Sequence, residues 1–168
     1  TSASGQNPAR QAAIQAGIPI EKTAYVLNQV CGSGLRSVAA AYQSIISNDS
    51  KILIAGGQES MSNAPQAIHF RKGKKLKEEN LIDTMIRDGL WDAFNGYHMG
   101  VTAENVASKW KITRKDQDVF ALSSQIKAEK AQSKGNFKDE IIPVSLKLDG
   151  KNIKFEIDEH PRNGMTIE

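Results

Sequence analysis

The chain has 168 residues, the size of one domain or of one domain carrying an insertion. Its 22 Lys and Arg against 19 Asp and Glu leave a formal charge of +3, too weak by itself to mark a nucleic-acid face. A single cysteine excludes a disulfide framework and a multi-cysteine metal site, and no apolar run approaches the roughly 18–20 residues of a membrane span.

Residues 1–6 read as a small-residue loop. Residues 8–16 read as a short helix, with Asn7 suited to the N-cap, Pro8 to the first helical position and Gly17 to the C-terminal stop. Residues 23–30 have the short, partly β-branched character of a strand. Leu35, Val38, Ala39, Tyr42, Ile45 and Ile46 then recur at helical spacing over 34–47, and Asn48-Asp49-Ser50 ends that helix. Residues 51–56 are wholly apolar apart from Lys51, as in a strand buried on both faces. The stretch 23–56 is therefore expected to be one right-handed strand–helix–strand unit with parallel strands.

After Gly56-Gly57 the composition shifts toward Gly, Asn, Lys and Met, with a helix expected near 79–87. Further helices are expected at 100–111 and 114–134, the latter with Thr113 as N-cap and Asp116 in its first turn. Residues 140–148 and 152–157 are expected as strands around Asp149-Gly150, a strong hairpin signal. Residues 158–168 read as irregular. Two strands cannot close a parallel sheet. The fold class is therefore α/β with most of the sheet missing and one large insertion following it. Residue 1 is Thr and no leader pattern precedes it, so the chain is expected to be a processed product or a piece of something longer.

Cys31 falls at the junction of the expected strand and helix, flanked by Gly32 and Gly34. Glycines allow the tight backbone of such an elbow. A helix N-terminus favours negative charge and supplies backbone N–H groups. Nucleophilic acyl transfer needs that combination, a poised anion beside donors for a developing oxyanion. A lone cysteine is equally compatible with a buried small apolar side chain, and the position alone leaves both open.

Asn28-Gln29-Val30-Cys31-Gly32-Ser33-Gly34-Leu35-Arg36-Ser37-Val38 resembles the nucleophile motif of thiolases. Gly5–Ala12 resembles the segment before it, and Gly56–Pro65 the segment after it. Asp88-Gly89-Leu90, Asn95–Gly100, Thr102–Ala107, Asp139-Glu140-Ile141 and Asp158-Glu159-His160-Pro161-Arg162 resemble the family in order and at matching spacing. Tyr97-His98-Met99-Gly100 resembles the short-chain branch. The resemblance implies part of a thiolase-type αβαβα domain carrying a large α+β loop domain. Residues 1–60 would hold the nucleophile unit, and residues 61–168 the loop domain that binds CoA and makes the tetramer contact.

The implied activity is acyl transfer through a Cys acyl-enzyme, interconverting two acetyl-CoA with acetoacetyl-CoA plus CoA. Cys31 would be the nucleophile, with Gly32 and Gly34 forming its elbow. Leu90, His98 and Met99 would line the pantetheine and acyl pocket, and Arg162 would stack on the adenine of CoA. Leu90 and Met99 are otherwise ordinary core types, His98 an ordinary structural histidine and Arg162 an ordinary surface arginine. CoA enters as substrate and product, with no permanently bound cofactor and no metal. A homo-oligomer, a dimer of dimers, is the family expectation. So is a cytoplasmic location (an organelle matrix in a eukaryote), without nucleic-acid or membrane partners. The basic run Arg71, Lys72, Lys74, Lys75 and Lys77 reads as a solvated loop or as a cationic loop that steers anionic CoA.

Thiolases also need an activating His in a Gly-His-Pro context and a second Cys in a Cys-x-Gly context. The histidines here are His69, His98 and His160, none in that setting, so this chain alone is expected to be inactive. A thiolase of broader chain length, a ketoacyl synthase and a non-catalytic CoA-binding or oligomerisation module are the alternatives.

Overall fold

The computed structural model describes residues 1–69 and 81–167. Helix α1 spans Pro8–Gln15 and begins as expected: Asn7 sits in the left-handed region at φ 45°, and its side chain accepts from the Arg10 N–H. The same Asn7 amide donates to the Ala24 carbonyl at 2.9 Å. Arg10 reaches the carbonyls of Ile20 and Lys22, so the segment that follows α1 is tied to that helix. Helix α2 spans Ser33–Ile46 and ends at Asn48 with φ 58°, one of the few conformations Asn adopts more readily than most residues.

The expected strands at 23–30 and 51–56 carry no strand ladder among the described residues, and no parallel pair forms between them. This corrects the strand–helix–strand expectation. A parallel strand is stabilised by neighbours on its edges and cover on its faces, and among the described residues neither segment has a partner strand. The Ser37 hydroxyl ties 51–56 to the helix: its Oγ lies 2.7 Å from the Gly34 carbonyl and 3.0 Å from the Gly56 carbonyl. The apolar stripe of α2 stays uncovered, with Leu35 80% and Tyr42 65% exposed, as does Ile52 at 89%. Among the described residues no hydrophobic side chain is buried, and Thr84 alone is, its hydroxyl donating to the Pro65 carbonyl at 2.6 Å.

Strands β1 (Gln66–Ala67) and β2 (Ile82–Asp83) form a short antiparallel pair. A π-helical segment, Ile86–Leu90, follows. The helix expected at 79–87 is therefore corrected: its described part is a strand and then a wide helical turn. Residues 79 and 80 lie outside the described residues, as does the basic run at 71–77. Helix α3 (Met99–Trp110) and helix α4 (Arg114–Ser133) match their expected positions. Helix α4 opens with a reciprocal cap, in which the Thr113 side chain accepts from the Asp116 N–H while the Asp116 carboxylate accepts from the Thr113 N–H.

Strands β3 (Val144–Leu148) and β4 (Lys151–Phe155) form the expected hairpin, paired Leu148 to Lys151. Asp149 and Gly150 both take positive φ, 49° and 77°, the geometry of a type I′ turn. β3 starts at Val144 rather than at 140, because 135–140 is a series of turns. Residues 158–167 are irregular, as expected. The chain forms two compact units, Thr1–Met99 and Gly100–Glu168.

Candidate active site

Cys31 is exposed and its thiol is free. It lies one residue before the α2 N-cap, Gly32. The turn that presents it is strained at its predecessor: Val30, a β-branched residue, has φ 50°, a region such residues rarely occupy. Local hydrogen bonds hold it there. The Val30 N–H donates to Asn28 Oδ1 at 2.8 Å. The Ser33 hydroxyl donates to the Val30 carbonyl at 2.7 Å and accepts from the Gln29 N–H at 2.9 Å. The Gly32 N–H donates to the Gln29 carbonyl at 3.0 Å.

Gly32 and Gly34 prove unequal. A Cβ at Gly32 would stand 3.3 Å from the Gln29 carbonyl oxygen, whereas one at Gly34 would meet nothing within 4 Å. Close backbone approach is therefore the requirement at Gly32 alone. Among the described residues no backbone hydrogen bond outside the helices and strands uses the Cys31 N–H.

Leu90 stands before, and His98 and Met99 after, one short loop. Trp91 pairs with His98 in an isolated antiparallel bridge. Asp92 organises the loop between them. Its Oδ1 accepts from the N–H groups of Phe94 and Asn95, each at 2.8 Å, and its Oδ2 accepts from the Asn95 amide at 3.1 Å. These bonds, the Asn95 N–H first, hold the Asp92 carboxyl below the usual carboxylate value. The Asp92 N–H donates to the Tyr97 carbonyl at 2.8 Å, and Gly96 supplies the left-handed φ of 73° that turns the chain. His98 is exposed and Met99 is 45% exposed. A separate cleft of about 400 Å³ between Ser2, His69, Thr84, Arg87 and Asp88 contains none of the expected site residues.

Arg162 lies in the second unit. Its backbone N–H donates to Gln125 Oε1 at 3.0 Å, and its side chain is exposed. Among the described residues no group of three or more His, Cys, Asp or Glu side chains is arranged to hold a metal, and no helix is long and apolar enough to cross a membrane.

Residues 1–168 match the family model of the thiolase N-terminal domain. The chain belongs to the thiolase family. It is 56% identical over 168 residues to the acetyl-CoA acetyltransferase of Paracoccus denitrificans, covering all of this chain and 43% of that protein. It is 57% identical over 164 residues to the acetyl-CoA acetyltransferase of Rhizobium meliloti, covering 98% of this chain and 42% of that one. The crystal structure of the Bacillus anthracis acetyl-CoA acetyltransferase superposes with a TM-score of 0.90 at 38% identity, over 96% of this chain and 41% of the other. This thiolase chain thus spans less than half the length of the curated relatives it matches. The α/β character and the thiolase fold agree with the sequence-based expectation.

Sequence reasoning singled out Cys31, Gly32 and Gly34 but not the residues that shape the two loops. Val30 and Ser33 carry no signal that a periodicity search would catch. Asp92 does: an Asp two and three residues before Phe94 and Asn95 is the pattern of a side chain capping its own loop.

Proposed function

We propose that the complete polypeptide is an acetyl-CoA C-acetyltransferase, joining two acetyl-CoA into acetoacetyl-CoA and CoA and running in reverse as a thiolase. The observation that carries the reading is the Cys31 turn: an exposed thiol immediately before the α2 N-cap, on a strained backbone, in a chain that matches thiolases from end to end. The names of the relatives support the short-chain substrate.

Cys31 Sγ, as thiolate, adds to the thioester carbonyl of acetyl-CoA. The new S–C bond leaves the charge on oxygen, facing the Cys31 N–H. The oxyanion collapses, the bond to the CoA sulfur breaks, and CoA leaves as a thiolate that takes up a proton. The acetyl group is then held as a thioester on Cys31. A second acetyl-CoA loses a proton from its methyl carbon to a base, and the resulting carbanion attacks the acetyl-enzyme to form the C–C bond and return the thiolate. The His and second Cys that thiolases use for these proton transfers are not among the residues of this chain.

Leu90, His98 and Met99 line the acyl and pantetheine end, and Arg162 faces the adenine. Residues 1–60 form the nucleophile portion and 61–168 the loop domain. CoA passes through as substrate and product without a permanent cofactor, in a cytoplasmic dimer of dimers, and this chain alone does not turn over. The test is CoA-dependent loss of acetoacetyl-CoA by the complete polypeptide and by its Cys31→Ser variant. Activity that disappears with serine upholds the reading, and activity that survives it removes Cys31 from the chemistry.

A further inference from the structure

Gln125, Glu129 and Gln132 fall at i, i+4 and i+7, one stripe of helix α4, and all three grip the irregular segment that bears Arg162. The Arg162 N–H donates to Gln125 Oε1 at 3.0 Å and the Gly164 N–H donates to Glu129 Oε2 at 3.2 Å. The Gln132 amide donates to the Asp158 carbonyl at 3.4 Å. These contacts join residues 26 to 37 positions apart and lie wholly within the second unit.

Two backbone features sharpen the grip. Pro161 fixes its own φ immediately before the donated Arg162 N–H. Gly164 takes a left-handed φ of 69°, which aims its N–H without the strain a side chain would bring. The backbone of Arg162 is thus bonded on the residue itself and two residues later, in a stretch with no strand or helix of its own. Its guanidinium stays exposed, anchored at its root and open at its tip. A side chain that must lie flat on a purine gains from that arrangement, because fewer backbone states must be surrendered on binding.

We propose that Gln125 and Glu129 are positioning residues for nucleotide recognition: they hold the backbone of Arg162 so that its guanidinium meets the adenine end of CoA. The inference rests on the reading of Arg162 as the adenine contact. Both residues act as acceptors, so chemistry rather than size decides their replacement. Gln125→Glu and Glu129→Gln keep an oxygen where the N–H points, and Gln125→Leu and Glu129→Leu remove it.

The experiment uses the complete polypeptide. It measures kcat and KM for CoA in thiolysis, and calorimetric binding of 3′-phosphoadenosine 5′-diphosphate, the nucleotide end of CoA without its thiol. Gln125→Leu is expected to raise KM for CoA and weaken nucleotide binding about ten-fold, the scale of one lost hydrogen bond. Its kcat stays within two-fold, and Gln125→Glu returns both values to within two-fold of the parent. Glu129→Leu and Glu129→Gln repeat the pattern. Arg162→Ala separates the two levels. If it weakens nucleotide binding and Gln125→Leu does not, the positioning role is overturned while the adenine reading stands. If Arg162→Ala changes nothing, the adenine reading falls and the inference with it. A Gln125→Leu protein that loses kcat and thermal stability together, without a change in nucleotide binding, also overturns it, since that is the mark of a purely structural contact.

Discussion

The two glycines of the Cys31 elbow provide a sharp test of the turn geometry. Gly32 has φ −84° and ψ −2°, allowed for any L-residue, so Gly32→Ala is costly for steric reasons only. The new Cβ would sit 3.3 Å from the Gln29 carbonyl oxygen, tight enough that the neighbour must give by a few tenths of an ångström. That oxygen is backbone, and it already accepts the Gly32 N–H at 3.0 Å. The displacement is therefore passed to the turn that carries the thiol. A misplacement of about 1 Å at a reacting group costs about 10²-fold in rate. Scaled logarithmically, about 0.3 Å costs about four-fold and about 0.5 Å about ten-fold. Gly34→Ala meets nothing within 4 Å and lies inside α2, where alanine is the better helix former by up to about 0.8 kcal/mol. In the complete polypeptide Gly32→Ala is expected to lower kcat for acetoacetyl-CoA thiolysis four- to ten-fold, and to slow alkylation of Cys31 by iodoacetamide. Gly34→Ala should stay within two-fold in both assays, with unchanged or higher Tm. The reverse order, with Gly34→Ala the more damaging, would refute the reasoning, as would a Gly32→Ala protein indistinguishable from the parent.

Other expectations follow from the capping geometry. Thr113→Ala removes the acceptor for the Asp116 N–H and is expected to cost about 1 kcal/mol, read by chemical denaturation. The Thr113 hydroxyl and N–H hold the Asp116 carboxyl below its ordinary value. The folded state therefore binds that proton more weakly than the unfolded chain, and the stabilisation is complete above the usual carboxylate range and lost as pH falls through the lowered value. Asp116→Asn should flatten the acid limb of the stability profile. Asp92→Asn keeps the Oδ1 acceptor used by Phe94 and Asn95 and should leave KM for acetoacetyl-CoA within two-fold. Asp92→Ala removes it and should raise that KM several-fold, because the loop that pairs Trp91 with His98 loosens. Gly150→Ala places a Cβ at φ 77° and is expected to cost about 1–2 kcal/mol, read as a lower Tm. Asn7→Ala loses the α1 cap and the bond to the Ala24 carbonyl, a cost of about 2 kcal/mol. Asn7→Gly should recover part of that by accepting the left-handed φ.

Local chemistry was legible in the residues themselves. Asn7-Pro8 announced α1, Thr113 with Asp116 announced α4, and Asp149-Gly150 announced the β3–β4 hairpin, because each depends on groups within a few residues of one another. Cys31 between a short apolar run and a glycine-flanked helix start was legible for the same reason. The segments 23–30 and 51–56 were not, since a strand is made by its neighbours, and neither segment joins a ladder among the described residues. Nor could spacing separate Gly32 from Gly34: both fit an elbow, and only the position of the Gln29 carbonyl distinguishes them. The stripe on α4 that holds the backbone of Arg162 across 37 positions belongs to tertiary structure alone. It depends on where the chain returns in space, and no local preference for helix, strand or turn encodes that.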